Sequence, residues 1–179
     1  AERDRIEWLS TTGIPGPSVL DWHTTEHGAC LITSAVAGVP ADRLDPAHLV
    51  QAWPSITDTL VRLHSTPAST CPYGRTLDEM ITLARATVAE NRVHTEFLPQ
   101  HLVETPPAVI LESLERDLPA RQEQEDADRA VCHGDFCLPN ILIDPETSLV
   151  AGLIDLGRLG QADPYADIAL LLANARESW

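Results

Sequence analysis

A chain of 179 residues is long enough for one sizeable core or for two unequal lobes. Its formal net charge of −15 repels nucleic acid and anionic membranes and favours cationic small molecules as partners, or serves solubility alone. Apolar content of 44% is ordinary for a globular protein, no run is long enough to cross a membrane, no basic-then-apolar leader marks a signal peptide, and the four Cys show no disulfide or metal framework, which fits a reducing cytoplasm.

Glu2 to Thr12 reads as a helix with Ile6 and Leu9 on one face and Gly13 ending it. Val19 to Trp22 and Cys30 to Val36 read as strands around a loop that holds His23, Glu26 and His27, a solvated hairpin tip rather than a metal site. Asp45-Pro46 opens a second helix, with Asp as N-cap and Pro at N1. Leu49, Val50, Trp53, Ile56, Leu60 and Leu63 follow at helical spacing, and Pro54 should kink this helix or divide it in two. His64 falls on the apolar side and reads as a core histidine with one satisfied nitrogen. Thr76 to Asn91 is another helix, and Ala108 to Asp117 a further one that Pro119 should end. The charged run Gln122 to Arg129 carries Glu123, Glu125, Asp126 and Asp128, read mainly as solvated helix surface. Asp163-Pro164 caps a last helix, with Tyr165, Ile168, Ala169, Leu171 and Leu172 expected to face inward.

The chemistry concentrates between Val131 and Gly160. Two apolar runs, Ile141 to Ile143 and Leu149 to Ile154, flank Asp144-Pro145-Glu146-Thr147, which has turn chemistry, so this stretch reads as a β-hairpin. His133, Asp135 and Asn140 precede the hairpin, and Asp155 and Arg158 follow it. A hairpin returns the chain to its start, so two carboxylates and an amide face one site, a ligand set suited to Mg²⁺. The spacing His-x-Asp-x-x-x-x-Asn matches a kinase catalytic loop, and Asp155-Leu156-Gly157 stands where a kinase holds its metal-binding Asp-Phe-Gly. These motifs make Asp135 the candidate base and Asn140 and Asp155 the candidate metal ligands. Arg158 is a candidate to hold Asp135 or the transferred phosphoryl group, or else a structural ion pair. His133 is expected to brace the loop backbone. Cys132, Cys137 and His133 could be read as soft-metal ligands, but ordinary buried thiols are preferred.

These segments, together with Glu2 to Leu9, Cys71-Pro72-Tyr73 and Ile154 to Asp163, resemble the aminoglycoside O-phosphotransferases, small-molecule kinases with a protein-kinase-like fold. Ala52-Trp53-Pro54-Ser55 and Leu172 to Trp179 most resemble the streptomycin 3''-phosphotransferases within them. The resemblance implies an α+β fold in which residues 1–38 are the remnant of a small β lobe and residues 39–179 a mainly helical lobe carrying the catalytic hairpin. It implies ATP and Mg²⁺ as cofactors, an aminoglycoside as cationic substrate with the streptomycin 3''-hydroxyl favoured, and antibiotic resistance as the outcome. Backbone groups of Ser34 and Val36 in the interlobe hinge would bond adenine, and Asp163 and Asp167 would support the site from below. Glu2 matches the acid that pairs with a phosphate-holding Lys, but all twelve basic residues are Arg, so Glu2 is expected to lack that partner. No G-x-G-x-x-G occurs either. The chain is therefore expected to be an internal segment, lacking the N-terminal clamp strands and a C-terminal helical portion, with little kinase activity by itself. Three alternatives stand beside this reading: a kinase for another small hydroxylated metabolite, metal-dependent hydrolysis through Asp135, Asn140 and Asp155, and a non-catalytic fragment.

Overall fold

The computed structural model describes residues 1–178. In chain order it runs α1 (Glu2–Leu9), β1 (Val19–Thr25), β2 (Gly28–Thr33), β3 (Val39–Pro40), α2 (Pro46–His64), α3 (Leu77–Ala89), α4 (Pro107–Asp128), β4 (Ala130–Cys132), β5 (Ile141–Ile143), β6 (Val150–Leu153), β7 (Gly160–Ala162) and α5 (Tyr165–Ser178). The strands form three small antiparallel sheets, β1-β2, β3-β5-β6 and β4-β7. The central hairpin is β5–β6, with Ile141 opposite Leu153 and Ile143 opposite Val150. Asp144 closes its turn by accepting the Glu146 N–H at 2.8 Å, as turn chemistry expects of Asp. β3 adds to the outer edge of β5, and Gly38 lets it approach. At φ +134 a Cβ on Gly38 would stand 2.8 Å from the Ile143 carbonyl oxygen.

One apolar core gathers Ile6 and Leu9 of α1, Leu49, Ile56 and Leu63 of α2, the hairpin residues Ile141, Ile143 and Leu153, and Leu171 of α5. Ile6 and Leu9 are 2% and 1% exposed, and each contributes about 1.5–3 kcal/mol by burial. α1 is thereby fixed against the turn that follows the hairpin.

Of the two outcomes expected at Pro54, a kink or a division, division does not occur: α2 runs as one helix through it. The proline ring faces solvent, where water can take the carbonyl that loses its N–H partner. Pro119 does not end α4 either, for the same reason: it is exposed, and the charged run is the second half of that helix. α5 docks through Asp167, Leu171 and Ala175, one face at a spacing of four. Tyr165 and Leu172, off that face, are 56% and 45% exposed. Glu125 is no surface acid. It is 3% exposed and accepts the Leu77 N–H at 3.0 Å, closing the N-terminus of α3 beside the Thr76–Glu79 capping box. Burial pushes its carboxyl above the ordinary range. Glu125→Ala is expected to cost about 1–2 kcal/mol in urea unfolding, with Glu125→Gln recovering part through its amide oxygen. An unchanged midpoint for the alanine variant would remove this capping role.

Candidate active site

β4–β7 and the hairpin deliver the polar residues to one place. Gly134 follows β4 at φ +79, and a Cβ there would stand 2.5 Å from the Arg158 carbonyl oxygen. The loop after β4 can lie on the Arg158 turn because that position carries no side chain. Arg158 Nη1 then donates to Asp135 Oδ2 at 2.8 Å. Asn140 Nδ2 donates to the Asp135 carbonyl at 3.0 Å, and the Ile154 N–H donates to the Asn140 carbonyl at 3.0 Å. Asp155 is the next residue, so two hydrogen bonds tie Asp135, Asn140 and Asp155 into one centre.

Asp155 takes a left-handed conformation, φ 57 and ψ 59, that non-glycine residues seldom adopt and that clusters at functional sites. Among the described residues its carboxylate makes no hydrogen bond or ion pair. Asn140 spends Nδ2 on Asp135 and leaves Oδ1 as an open acceptor. Two open oxygen donors on a rigid hairpin fit a hard divalent cation such as Mg²⁺.

The loop rests on buried polar contacts. Asp167, fully buried, accepts the His133 N–H at 2.8 Å, the Gly134 N–H at 2.9 Å and His64 Nε2 at 3.2 Å. His64 is thus the satisfied core histidine that its position on α2 suggested. His133 Nε2 lies 2.9 Å from the Ile154 carbonyl, which can only accept, so that nitrogen carries the proton. Burial pushes His133 below its ordinary range, so the ring is neutral and braces the loop. Asp163 accepts the Tyr165 N–H at 2.9 Å, the cap of α5. His64, Cys132 and Asp167 lie close enough to suggest a metal. Both Asp167 oxygens are already bonded, however, and burial pushes the Cys132 thiol far up, away from the thiolate a metal needs.

Two cavities flank the turn Leu156–Arg158. One, of about 390 Å³, is lined by Glu2, Ser34, Val36, Leu142 and Asp155. The Ser34 N–H is spent on the Ser18 carbonyl at 2.8 Å. The Ser34 carbonyl and the Val36 N–H have no partner among the described residues, leaving one acceptor and one donor side by side. Glu2, expected to be without a partner, accepts the Leu156 N–H at 3.2 Å and so ties α1 to the turn after Asp155. The other cavity, of about 620 Å³, is lined by Arg5, Arg75, Asp78, Glu79 and Arg158 among others.

Comparison with known proteins decides the family. A family model described as "Phosphotransferase enzyme family" matches residues 1–179. The chain belongs to this family. It is 56% identical over 179 residues to a streptomycin 3''-kinase of Streptomyces griseus, covering 100% of this chain and 66% of that protein. It is 41% identical over 170 residues to an aminoglycoside 3'-phosphotransferase of Streptomyces fradiae, covering 94% of this chain and 62% of that one. The fold superposes with a TM-score of 0.98 on aminoglycoside phosphotransferase APH(3'')-Id from Streptomyces rimosus, solved with ADP and streptomycin, at 54% identity, covering 99% of this chain and 67% of that one. The chain therefore has the protein-kinase-like α+β fold of the aminoglycoside phosphotransferases, and it spans just under two thirds of the length of the curated relatives it matches. Asp135, Asn140, Asp155 and Arg158 come together in one place, and Ser34 and Val36 line the adjoining cavity. Arg75 was not singled out from the sequence. Its signal was its place between Cys71-Pro72-Tyr73-Gly74 and the Thr76–Glu79 capping box.

Proposed function

We propose that this chain is the catalytic-loop portion of an ATP-dependent kinase that phosphorylates an aminoglycoside hydroxyl, with the streptomycin 3''-hydroxyl as acceptor and antibiotic resistance as the consequence. The observation that carries the proposal is the centre tied by Asn140, where the open carboxylate of Asp155 and the open Oδ1 of Asn140 adjoin Asp135. In this reading the cavity at Ser34 and Val36 takes the nucleotide, the Ser34 carbonyl accepting from the adenine amino group and the Val36 N–H donating to a ring nitrogen. Asn140 and Asp155 would hold Mg²⁺, which neutralises charge on the phosphates. Asp135 accepts the proton of the attacking hydroxyl as its oxygen bonds the γ-phosphorus and the bond from that phosphorus to the β-phosphate oxygen breaks. Arg158 holds the Asp135 carboxylate in place through Oδ2. Residues 1–38 would be the small-lobe part and residues 39–179 the helical lobe.

The net charge of −15 favours a polycationic substrate by steering, and ATP as co-substrate places the reaction in the cytoplasm. No described helix is long and apolar enough to cross a membrane. Because the chain contains no Lys, it offers no lysine ammonium to the α- and β-phosphates, and we expect little turnover from the polypeptide by itself. Calorimetric titration with Mg–ADP tests the reading directly. Asp155→Ala is expected to weaken Mg–ADP binding by about tenfold or more while leaving the metal-free titration nearly unchanged. Equal Mg–ADP affinity in wild type and variant would remove Asp155 from the metal site.

A further inference from the structure

The cavity on the Arg158 side of the turn holds a cation that nothing in the centre explains. Three guanidiniums line it, those of Arg5, Arg75 and Arg158. Two already have partners: Arg5 Nε donates to the Leu159 carbonyl at 2.7 Å and the group lies over the Tyr73 ring, and one nitrogen of Arg158 pairs with Asp135. The carboxylates of the cavity are engaged too. Asp78 Oδ1 accepts from Gln122 Nε2 at 2.8 Å, and Glu79 Oε2 accepts the Thr76 N–H at 2.9 Å. Arg75 is half-buried, and its guanidinium makes no hydrogen bond or ion pair among the described residues. It is anchored through its backbone, whose N–H donates to the Gln161 carbonyl at 2.9 Å. Its Nε lies 2.9 Å from where a Cβ on Gly134 would stand, so it reaches the residue next to Asp135.

We propose that Arg75, with Arg158, forms a binding site for a tetrahedral oxyanion beside Asp135, occupied by the phosphoryl group on the acceptor side of the turn. The identity of that anion rests on the kinase reading; the site itself does not. Arg75 is half-buried, repelled by Arg158 and Arg5 and attracted by Asp135 and Asp167 without bonding either, so an anion with several oxygens would supply the direct partners and solvation that it lacks. Burial and then the charge of Arg158 hold the Arg75 guanidinium below its ordinary range, the direction an unfilled anion site would give. A planar guanidinium offers two parallel N–H donors to such an oxyanion, and the Arg158 side chain, 55% exposed, has donors beyond the one given to Asp135. Asp155 lines one cavity and Arg158 the other, so the proposed anion site lies on the Arg158 side of the turn, away from the groups proposed for the nucleotide.

The test is a ³¹P NMR titration of the 179-residue chain with inorganic phosphate, without nucleotide or Mg²⁺. Saturable binding is expected in the wild type, with Arg75→Ala weakening it about tenfold or more, Arg75→Lys falling between, and Arg116→Ala, an exposed arginine of α4, leaving it unchanged. Thermal unfolding of each variant separates loss of the site from loss of the fold. Equal phosphate affinity in wild type and Arg75→Ala overturns the proposal, as does a wild type that shows no saturable binding at millimolar phosphate. Phosphate binding that depends on Arg75, in a chain that fails to bind Mg–ADP, would keep this anion site and sink the kinase reading. Mg–ADP binding without Arg75-dependent phosphate binding would do the reverse.

Discussion

Asp135→Ala in the full-length protein is expected to lower kcat for the proposed phosphorylation by roughly 10²–10⁴-fold while leaving Mg–ADP affinity within about twofold. The asymmetry follows from position. Asp135 lies on the Arg158 side of the turn, whereas the groups assigned to the nucleotide, Ser34, Val36 and Asp155, line the opposite cavity. The bond from Asn140 Nδ2, one of the proposed metal ligands, goes to the carbonyl of Asp135, and an alanine keeps that carbonyl. Truncation also frees Arg158, so a slow alanine variant alone would not say whether the proton or the ion pair matters. Asp135→Asn separates the two, because its amide oxygen still accepts from Arg158 but is a far weaker base. Slow turnover in both variants, measured with streptomycin and ATP, supports proton acceptance. An alanine variant that is slow beside an asparagine variant of normal rate would reduce Asp135 to an anchor for Arg158, and normal rates in both would end its role.

The hairpin and its centre were legible because every signal there is local. Asp144 to Thr147 supplies the turn, β-branched runs supply the strands, and fixed spacing places His133, Asp135, Asn140 and Asp155 at their ends. What the sequence hid depends on partners far along the chain. Glu125 looks like one acid among four until α4 lays it over the N-terminus of α3, 48 residues away. The partner of Glu2 is a backbone N–H at Leu156, and no side-chain pattern marks a backbone donor. Pro119 continues its helix, and Pro54 leaves its own undivided, for a different reason: both face water, which can bond the carbonyl that loses its N–H partner. Apolar residues crowd α5, and by composition alone Tyr165 and Leu172 belong inside. The docking face is instead chosen by Asp167, whose need for buried donors outranks a tyrosine's preference for shelter.

That need makes Asp167 the position where substitution should cost most in stability. Asp167→Ala is expected to destabilise the chain by about 3–5 kcal/mol, the range for breaking a buried charged contact. Three donors converge on the carboxylate, the N–H groups of His133 and Gly134 and Nε2 of His64. An alanine leaves two buried backbone N–H groups without acceptors, each costing about 1–3 kcal/mol. Water cannot easily replace the carboxylate, since His133 and Asp167 are both fully buried. The backbone being held is that of the loop leading to Asp135, so helices α2 and α5 grip it through one side chain, and the loop should loosen before the core melts. Urea unfolding of the chain reads the first effect, and amide hydrogen exchange at His133 and Gly134 reads the second. His64→Ala removes one side-chain donor but orphans no backbone group, so it should cost less, about 1–2 kcal/mol. A chain that tolerates Asp167→Ala as readily as His64→Ala, with exchange at His133 and Gly134 unchanged, would mean that the loop is held by its packing, such as Phe136 against His133, and not by this carboxylate.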